Sequence, residues 1–546
     1  MKHNKFAFIA LASLALAACD MEDVVPQGGT LLATQVQETN LAAPSRAEAT
    51  FSGMFTLLGE PLSISFSSSR PDNFGFLMMV YSNDLEAADI VTANSGYNWF
   101  SVCGELTSRN ADYANPYIRY AAVYNQIAAA NDIIKSFPAD TEDPDAINKI
   151  AQARAIRAFS YLNIAPYFQF SYAAGGADLP CVPIVTETTE DFTNNPRATV
   201  SDVYALIIED LTYAIEKLEG YTRPDKGKVD QQVAYGLRAR AYLNMQMWAE
   251  AAADAAKAAE GYTPASMEEV SHPTFKDINE ANWIWGYDMS ETTAAIFPYA
   301  TATSWIRPFT NNGYAAGTQV YACCNNLLYN KIPASDVRKG WWVDENLESP
   351  LLEGLTWTDT ETGESASGNA ISTFVTADKM AYLPYTAVKF GCNTVGTVLN
   401  DEDWPFMRVE EMILIQAEAT AKAGDEAAGR AILDNFVKTY RDPEYSSIAT
   451  GRSFSDEVWF QRRVELWGEG FSNNDTRRLN KPLVRFHDSK SNFPEAFRFN
   501  MPADDGWWLL RFTTSELNTN FGIVDNTGGT QPVQDQYAEL RDGVTD

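Results

Sequence analysis

The stretch YGLRARAYLNMQMWAEAAADAAKAAEGYTP, residues 235–264, decides the expected fold. Its first half carries Tyr235, Ala239 and Tyr242 at helical spacing, and its second half continues with Ala251. Small residues let two helices approach closely, and tyrosines fill the groove between them. The stretch therefore predicts a helix, a tight turn and a second helix.

This order of aromatic and small residues, closed by Pro264, is similar to the tetratricopeptide repeat, in which helix pairs stack side by side. Arg238 stands where that pattern usually has a leucine. One helix pair cannot bury its apolar face alone, so we expect neighbouring pairs. A stack of pairs presents a surface that can hold a partner, which indicates a binding scaffold before it indicates an enzyme.

Other segments also space their apolar residues as helices do. The predicted helices cover residues 47–58, 117–136, 144–170, 203–218, 404–424, 425–440 and 458–468. Pro166 is expected to bend or end the helix that contains it. Alternation at 283–287 predicts a strand with Trp283 and Trp285 in the core.

Helical periodicity is lost over two long stretches, which are rich in turns and aromatic residues. The predicted fold class is therefore mainly α. A helix-pair scaffold covers mainly 117–262 and 404–480, and a large irregular loop-rich region with a few short strands covers mainly 60–116 and 269–402. Long irregular segments inside a compact chain are usually functional, so we expect the ligand face there.

The first residues have the layout of a targeting signal, with Lys2 and Lys5 ahead of the apolar run FAFIALASLALAA. That run is too short to span a bilayer. Its end, LAAC at 16–19, is similar to a bacterial lipobox, in which the signal is cut before the cysteine and the cysteine is lipidated. We expect residues 1–18 to be a lipoprotein signal peptide, with a plain secretory signal as the alternative.

A lipid-bearing Cys19 would anchor the mature chain to a membrane. Residues 19–45 are expected to form an acidic tether and lead-in, because they lack helical or strand periodicity. Residues 46–546 are expected to form a single domain.

The amino-acid composition argues against nucleic-acid binding and against histidine-based chemistry. The chain has 41 Lys and Arg against 72 Asp and Glu, a formal net charge of −31, which disfavours nucleic acid as a partner. After the signal only His272 and His487 remain, which argues against a histidine-based metal or nucleophile site. Acidic runs at 140–145 and 401–403 offer oxygen ligands to calcium, but neither has EF-hand spacing, so no cofactor is expected.

Cysteine spacing gives neither a disulfide framework nor a zinc site, since an odd number of cysteines follows Cys19 and none forms a CxxC pair. They are Cys103, Cys181, Cys323, Cys324 and Cys392.

Several segments taken together resemble the SusD/RagB family of surface lipoproteins from Bacteroidetes nutrient-uptake systems. They are RAIRAFSYLNIAPYF (154–168), AYGLRARAYLNMQMWAEAAADA (234–255), MRVEEMILIQAEATAKAGD (407–425) and QRRVELWGEGFSNNDTRRL (461–479). The resemblance implies a SusD-like stack of tetratricopeptide helix pairs that supports a loop-rich face. It also implies an outer-membrane, cell-surface location and a TonB-dependent SusC-like transporter as partner. Ligands of the family are mostly glycans, with peptides in the RagB-like branch.

Sugar binding needs flat aromatic faces and side chains that pair with hydroxyl groups. Two loop segments combine both, and we take them together with a nearby Arg and Asp and a later tryptophan as ligand candidates. The candidates are Arg70, Asp72, Tyr97, Asn98, Trp99, Trp305, Phe309, Asn311, Asn312, Tyr314 and Trp341. The alternative is that these aromatic residues anchor the loops. Trp341 and Trp342 cannot both face inward on an extended chain, so we expect one to be exposed.

The densest charge cluster contains Glu465 and Glu469, a helical turn apart. A glycoside hydrolase would use two such carboxylates as an acid and base across the scissile bond. Arginines at 462, 463, 477 and 478 favour structural ion pairs instead. We therefore assign no catalytic residue and expect a binding protein.

Overall fold

The computed structural model describes residues 37, 39, 44–60, 70–94, 98–296, 302–310, 314–488 and 490–546. The predicted signal with Cys19, and the candidates Tyr97, Asn311 and Asn312, lie outside these residues. Within the described ranges, helices predominate and strands are short, which confirms the mainly α fold class. None of the described helices combines the length and the apolar character needed to cross a membrane.

The elements are numbered here in chain order. The helices are α1 (Pro44–Thr56), α2 (Gly75–Glu86), α3 (Ser101–Gly104), α4 (Ala114–Lys135), α5 (Pro144–Phe168), α6 (Val200–Lys217), α7 (Gln231–Asn244), α8 (Trp248–Ala259), α9 (Met267–Val270), α10 (Glu291–Ile296), α11 (Tyr314–Thr318), α12 (Asn326–Tyr329), α13 (Val409–Lys422), α14 (Glu426–Tyr440), α15 (Phe454–Glu465), α16 (Ser472–Arg478) and α17 (Thr514–Thr519). The strands are β1 (Ile90–Val91), β2 (Pro180–Pro183), β3 (Arg197–Thr199), β4 (Trp283–Tyr287), β5 (Cys323–Cys324), β6 (Thr356–Thr358), β7 (Ser365–Ser367) and β8 (Trp404–Arg408).

The scaffold is a continuous stack in which α4, α5, α6, α7, α8, α13 and α14 each pack on the next. The predicted pair at 235–264 is present as α7 and α8. Arg238 of α7 replaces the usual leucine with an ion pair to Asp254 of α8, whose oxygens lie 2.6 and 3.0 Å from the guanidinium. Helix α8 packs directly on α13, so the long irregular region interrupts the sequence but not the stack.

Pro166 lies in the last turn of helix α5, two residues before the helix ends. The helix neither ends nor is interrupted there but continues to Phe168. Proline removes one hydrogen bond to the carbonyl four residues earlier. Because Pro166 lies in the last turn, where few backbone bonds follow, that loss is small and the buried Tyr167 and Phe168 hold the final turn against the core.

The predicted helix at 404–424 is wrong in its first turn. Trp404–Arg408 forms strand β8, which pairs antiparallel with β4, and the helix begins only at Val409. Pairing of β4 with β8 buries Trp283 and Trp285, as predicted, together with Trp404. The strand pair joins the start and the end of the long irregular region. Both ends of that region therefore lie at the same place on the scaffold.

A second short strand pair joins the two loop-rich regions to each other. Ile90 and Val91 of β1 lie opposite Cys324 and Cys323 of β5. Immediately before β1, residues 75–86 form the buried helix α2, which the sequence pattern did not predict because apolar residues occupy all its faces. These contacts bring segment 98–100 close to segment 302–318.

The cysteines within the described ranges are free and buried. Burial raises the pKa of the Cys181, Cys323 and Cys392 thiols to about 12, so these groups behave as small apolar side chains.

Candidate functional site

Trp99 is the most exposed aromatic residue among the described ligand candidates, with 45% of its surface accessible. It lies in the turn before α3, and its backbone N–H donates to the Tyr314 hydroxyl across 2.6 Å. Tyr314 begins α11, in the other loop-rich region. The two aromatic segments that the sequence analysis selected separately therefore meet at this point.

Arg70 and Asp72 complete the same site. The Arg70 guanidinium donates from Nε to Oδ1 of Asp72 at 2.8 Å and from Nη2 to Oδ2 at 2.6 Å. It also lies over the Trp99 indole, 4.7 Å from the ring centroid. We call Arg70, Asp72, Trp99 and Tyr314 the Trp99 corner.

Burial raises the pKa values of two groups in the Trp99 corner. It raises the pKa of Asp72 above its usual range, although the hydrogen bond from Arg70 opposes that rise. Burial also raises the pKa of the Tyr314 phenol, so this group stays neutral and can donate a hydrogen bond. Arg70 and Asp72 keep 22% and 12% of their side-chain surface exposed, and both reach solvent beside the ring.

The Trp99 corner combines a partly exposed indole with a guanidinium that lies over the ring and a carboxyl group bonded to that guanidinium. Because Arg70 lies over one face of the indole, a ligand that stacks on this ring would have to use the other face. A pyranose placed on that face would reach donors and acceptors around the ring. The arrangement suits a neutral ligand with an apolar face and several hydroxyl groups.

Asn98 supports the turn rather than the ligand surface. It is 6% exposed, and its Nδ2 donates to Thr92 Oγ1 at 3.1 Å and to the Ala93 carbonyl at 2.9 Å. Its Oδ1 accepts from the backbone N–H of Phe100. These bonds occupy the amide and fix the turn that presents Trp99.

The prediction that Trp305 offers its face to a ligand is wrong for this structure. Trp305 is 2% exposed and packs beneath the turn against Phe100, with 4.6 Å between ring centroids, and against Tyr81 at 5.3 Å. Tyr81 belongs to α2, which periodicity did not reveal. These rings form the floor that holds the 98–100 turn.

Phe309 and Trp341 are also buried, at 1% and 0% exposure, which contradicts their assignment as ligand contacts. Trp342 is equally buried, so the expectation that one of the two neighbouring tryptophans faces outward is wrong. The chain there is not extended but forms a 3₁₀ turn at Val337–Trp341, which lets both rings turn inward. Trp341 donates from Nε1 to the Val270 carbonyl at 2.9 Å.

The carboxylate pair considered for catalysis lies inside a buried ion network. Glu465 accepts from Arg441 at 2.8 Å, Arg408 at 3.2 Å and Arg338 at 3.3 Å. Burial alone would raise the pKa of Glu465, but these arginines lower it well below its usual range.

Glu469 is held in the same way. It accepts from Arg408 Nε at 2.8 Å and from Lys389 Nζ at 2.6 Å. Arg408 and Lys389 outweigh burial and lower its pKa too. Both carboxylates stay ionised and enclosed, so this pair is placed to stabilise the fold and not to contact a substrate. We call this group of charges the Glu465 network.

No group of three or more His, Cys, Asp or Glu side chains within the described ranges is arranged to hold a metal ion.

Family models match two parts of the chain. Residues 78–243 match a model described as SusD-like, starch-binding and associating with the outer membrane, and residues 356–528 match the model of the SusD family. The first match includes Trp99 and most of the helical stack. No curated protein matches the chain significantly.

Solved structures share the fold. A SusD-like carbohydrate-binding protein from Bacteroides vulgatus is 24% identical, with a TM-score of 0.68 over 88% of this chain and 97% of that one. A SusD superfamily protein from Bacteroides thetaiotaomicron is 19% identical, with a TM-score of 0.67 over 88% and 99%. A laminarin-binding SusD-like protein is 18% identical, with a TM-score of 0.60 over 89% and 99%.

Proposed function

The chain belongs to the SusD/RagB family, and from that membership we propose that it is a surface-exposed, lipid-anchored nutrient-binding protein that captures an oligosaccharide. The observation that carries this proposal is the Trp99 corner, where a 45% exposed indole lies against the guanidinium of Arg70, which is bonded to the carboxyl group of Asp72. Flat rings that stack on sugars, with a few polar groups at their edge, are a common composition of carbohydrate sites.

The comparisons support a glycan as the ligand class. Two of the similar solved structures are named as carbohydrate-binding and laminarin-binding proteins, and one matching family model is described as starch-binding. The same model is described as associating with the outer membrane, which supports a cell-surface location.

We propose further that lipid attached at Cys19 anchors the chain, and that a TonB-dependent SusC-like transporter receives the ligand. The lipobox-like sequence LAAC at 16–19 supports the anchor. Membership in a family of nutrient-uptake lipoproteins supports the transporter. Co-purification of a large outer-membrane protein with the lipidated chain from its native membrane would test both points together, and a Cys19→Ala chain should be lost from the membrane fraction.

The ligand class is tested by affinity electrophoresis of the purified full-length chain in gels that contain starch, laminarin, xylan or pectin. We expect one of these polysaccharides to retard the chain. Trp99→Ala should reduce the affinity at least about tenfold, because it removes the stacking face. Ile448→Ala is the control, since this apolar side chain is 74% exposed and lies outside the Trp99 corner, between α14 and α15.

The other functions named above give different results in the same experiment. A peptide receptor would pass through every polysaccharide gel without delay and retain peptides from a tryptic casein digest. A glycoside hydrolase would release reducing sugar from the retarding polysaccharide. Retardation that Trp99→Ala leaves unchanged would show that the ligand binds elsewhere.

A further inference from the structure

A cleft of about 320 Å³ is lined by none of the ligand candidates within the described ranges. Helix α4, the segment 183–195 between β2 and β3, and helix α17 form its walls. It shares no residue with the Trp99 corner. Its aromatic lining consists of Tyr120 and Tyr124 from α4 and Phe192 from the segment between the strands.

The aromatic residues of this cleft differ in their exposure. Phe192 is 57% exposed at the rim. Tyr120 and Tyr124 lie deeper, with 4.4 Å between their ring centroids and 30° between their planes.

A carboxylate stands beside these rings. Glu516 of α17 lies next to the Tyr120 hydroxyl, and after burial it is the largest influence that raises the pKa of this phenol. Asn520 holds the carboxylate in place by donating from Nδ2 to Oε1 at 2.9 Å. The Tyr120 hydroxyl pairs with Glu516, and a carboxyl group has lone pairs for more than one hydrogen bond, so Glu516 offers an acceptor at the wall of the cleft.

The walls are fixed to each other before any ligand arrives. Asn520 accepts from the backbone N–H of Asn195 at 2.9 Å and donates from Nδ2 to the Asn195 carbonyl at 2.8 Å. Phe521 adds a backbone bond to the Thr193 carbonyl at 2.7 Å. Such cross-bonding lowers the ordering cost of binding, because the segment that carries Phe192 is already placed.

We propose that this cleft, the Phe192 cleft, is a second sugar-binding subsite that engages a distant unit of a long glycan. The proposal rests on the function proposed above. A sugar unit fits the chemistry because its C–H face can lie on Phe192 while its hydroxyl groups donate to the remaining lone pairs of Glu516.

The test compares long and short glycans. Laminarin and soluble starch serve as long probes, and laminaribiose and maltose as short ones, with affinity measured for wild type, Phe192→Ala and Glu516→Gln in the full-length chain. We expect each variant to bind the long probe about tenfold more weakly and the disaccharide as wild type does. Ile448→Ala, at a 74% exposed apolar side chain between α14 and α15, should bind both probes unchanged.

The outcomes separate this proposal from the one on which it rests. If no polysaccharide binds wild type, the proposed function fails and the second subsite fails with it. If a polysaccharide binds, and Phe192→Ala and Glu516→Gln bind it as tightly as wild type, only the second subsite is overturned. Retention of casein peptides that Phe192→Ala abolishes would overturn the assignment of sugar to this cleft. Unchanged unfolding of both variants in urea would exclude misfolding as the cause of lost affinity.

Discussion

Two groups of arginines and carboxylates in this molecule are built from the same chemistry and differ in their surroundings. In the Glu465 network, Arg338, Arg408 and Arg441 converge on a single carboxylate, and the side chains are fully buried. In the Trp99 corner, Arg70 pairs with Asp72 at the surface and stacks on an exposed ring. Bond lengths do not separate the two groups, since both include hydrogen bonds of 2.8 Å.

The difference shows which charges can act on a ligand. Arg338 and Lys389 come from the long irregular region, whereas Glu465 and Glu469 lie at and just beyond the end of α15, so the Glu465 network fastens that region to the helical scaffold. The charged groups of the Glu465 network form their hydrogen bonds with one another. In the Trp99 corner a ring face and parts of the polar groups stay open to solvent, so this group can exchange water for sugar hydroxyls.

The largest effect is expected from Glu465→Gln. Removing this charge leaves Arg338, Arg408 and Arg441 buried with less compensation. Breaking a buried pair in this way typically costs about 3–5 kcal/mol. Denaturation in urea should therefore show a much lower midpoint for the variant, with the slope unchanged.

The matched control is Glu426→Gln, which removes a carboxylate from an ion pair with Arg430 on the surface of α14. Glu426 is 59% exposed in this pair. Exposed pairs of this kind contribute about 0.3–0.5 kcal/mol. Equal losses in the two variants would break the comparison, because burial would then not distinguish a structural charge from a surface one.

Asp84 provides a third case for the comparison. Its carboxyl group is buried, like those of the Glu465 network, but it forms no ion pair with a cation among the described residues. It accepts backbone N–H bonds from Gly470 at 3.0 Å and Ser472 at 2.9 Å. Burial raises its pKa to about 7, against these hydrogen bonds. Because the unfolded carboxyl has a pKa near 4, the folded state binds more protons between about pH 4 and pH 7, and stability falls as pH rises through that range.

Asp84→Asn removes this titration and keeps an acceptor for one of the two backbone groups. The unfolding free energy of the variant minus that of wild type should therefore increase from pH 4 to pH 7, by up to about 1.4 kcal/mol per pH unit. Above pH 7 this difference should stay constant. Parallel urea titrations at each pH measure it. A difference that stays constant with pH would mean that Asp84 is ionised in the fold throughout.

The helical scaffold was largely predictable because its information is local. Spacing of Tyr235, Ala239 and Tyr242 identified the α7 and α8 pair, and similar periodicity identified the other stacked helices. Failures came where a distant segment decides the structure. Trp404–Arg408 is a strand only because Trp283–Tyr287 lies beside it.

The candidate site was predictable in composition and not in geometry. Trp99 and Tyr314 were selected from separate loops. Their contact depends on the pairing of β1 with β5, which no local sequence pattern predicts. Trp305 and Trp341 have the same residue type as Trp99 but are buried. Residue type alone cannot say which tryptophan anchors a loop and which faces a ligand, since that depends on side-chain direction.

The smallest effect on stability, and the sharpest test of the comparison, is expected from Arg70→Lys. Lysine keeps the positive charge but loses the planar group that bonds Asp72 through two nitrogens and stacks on Trp99. Because the pair is partly solvated, the unfolding free energy should change by less than about 1 kcal/mol. Affinity for the polysaccharide that retards wild type should fall about tenfold, because the indole ring and the carboxyl group are no longer fixed relative to each other.

Arg430→Lys is the matched control for that substitution. Arg430 also pairs with a carboxylate, Glu426, and also lies over an aromatic ring, 4.7 Å from the centroid of Phe454. It belongs to the scaffold helix α14, so its replacement should alter stability as little as Arg70→Lys does and leave glycan affinity unchanged. Loss of affinity in both variants would mean that arginine stacking supports the whole fold, and that the Trp99 corner has no special part in binding.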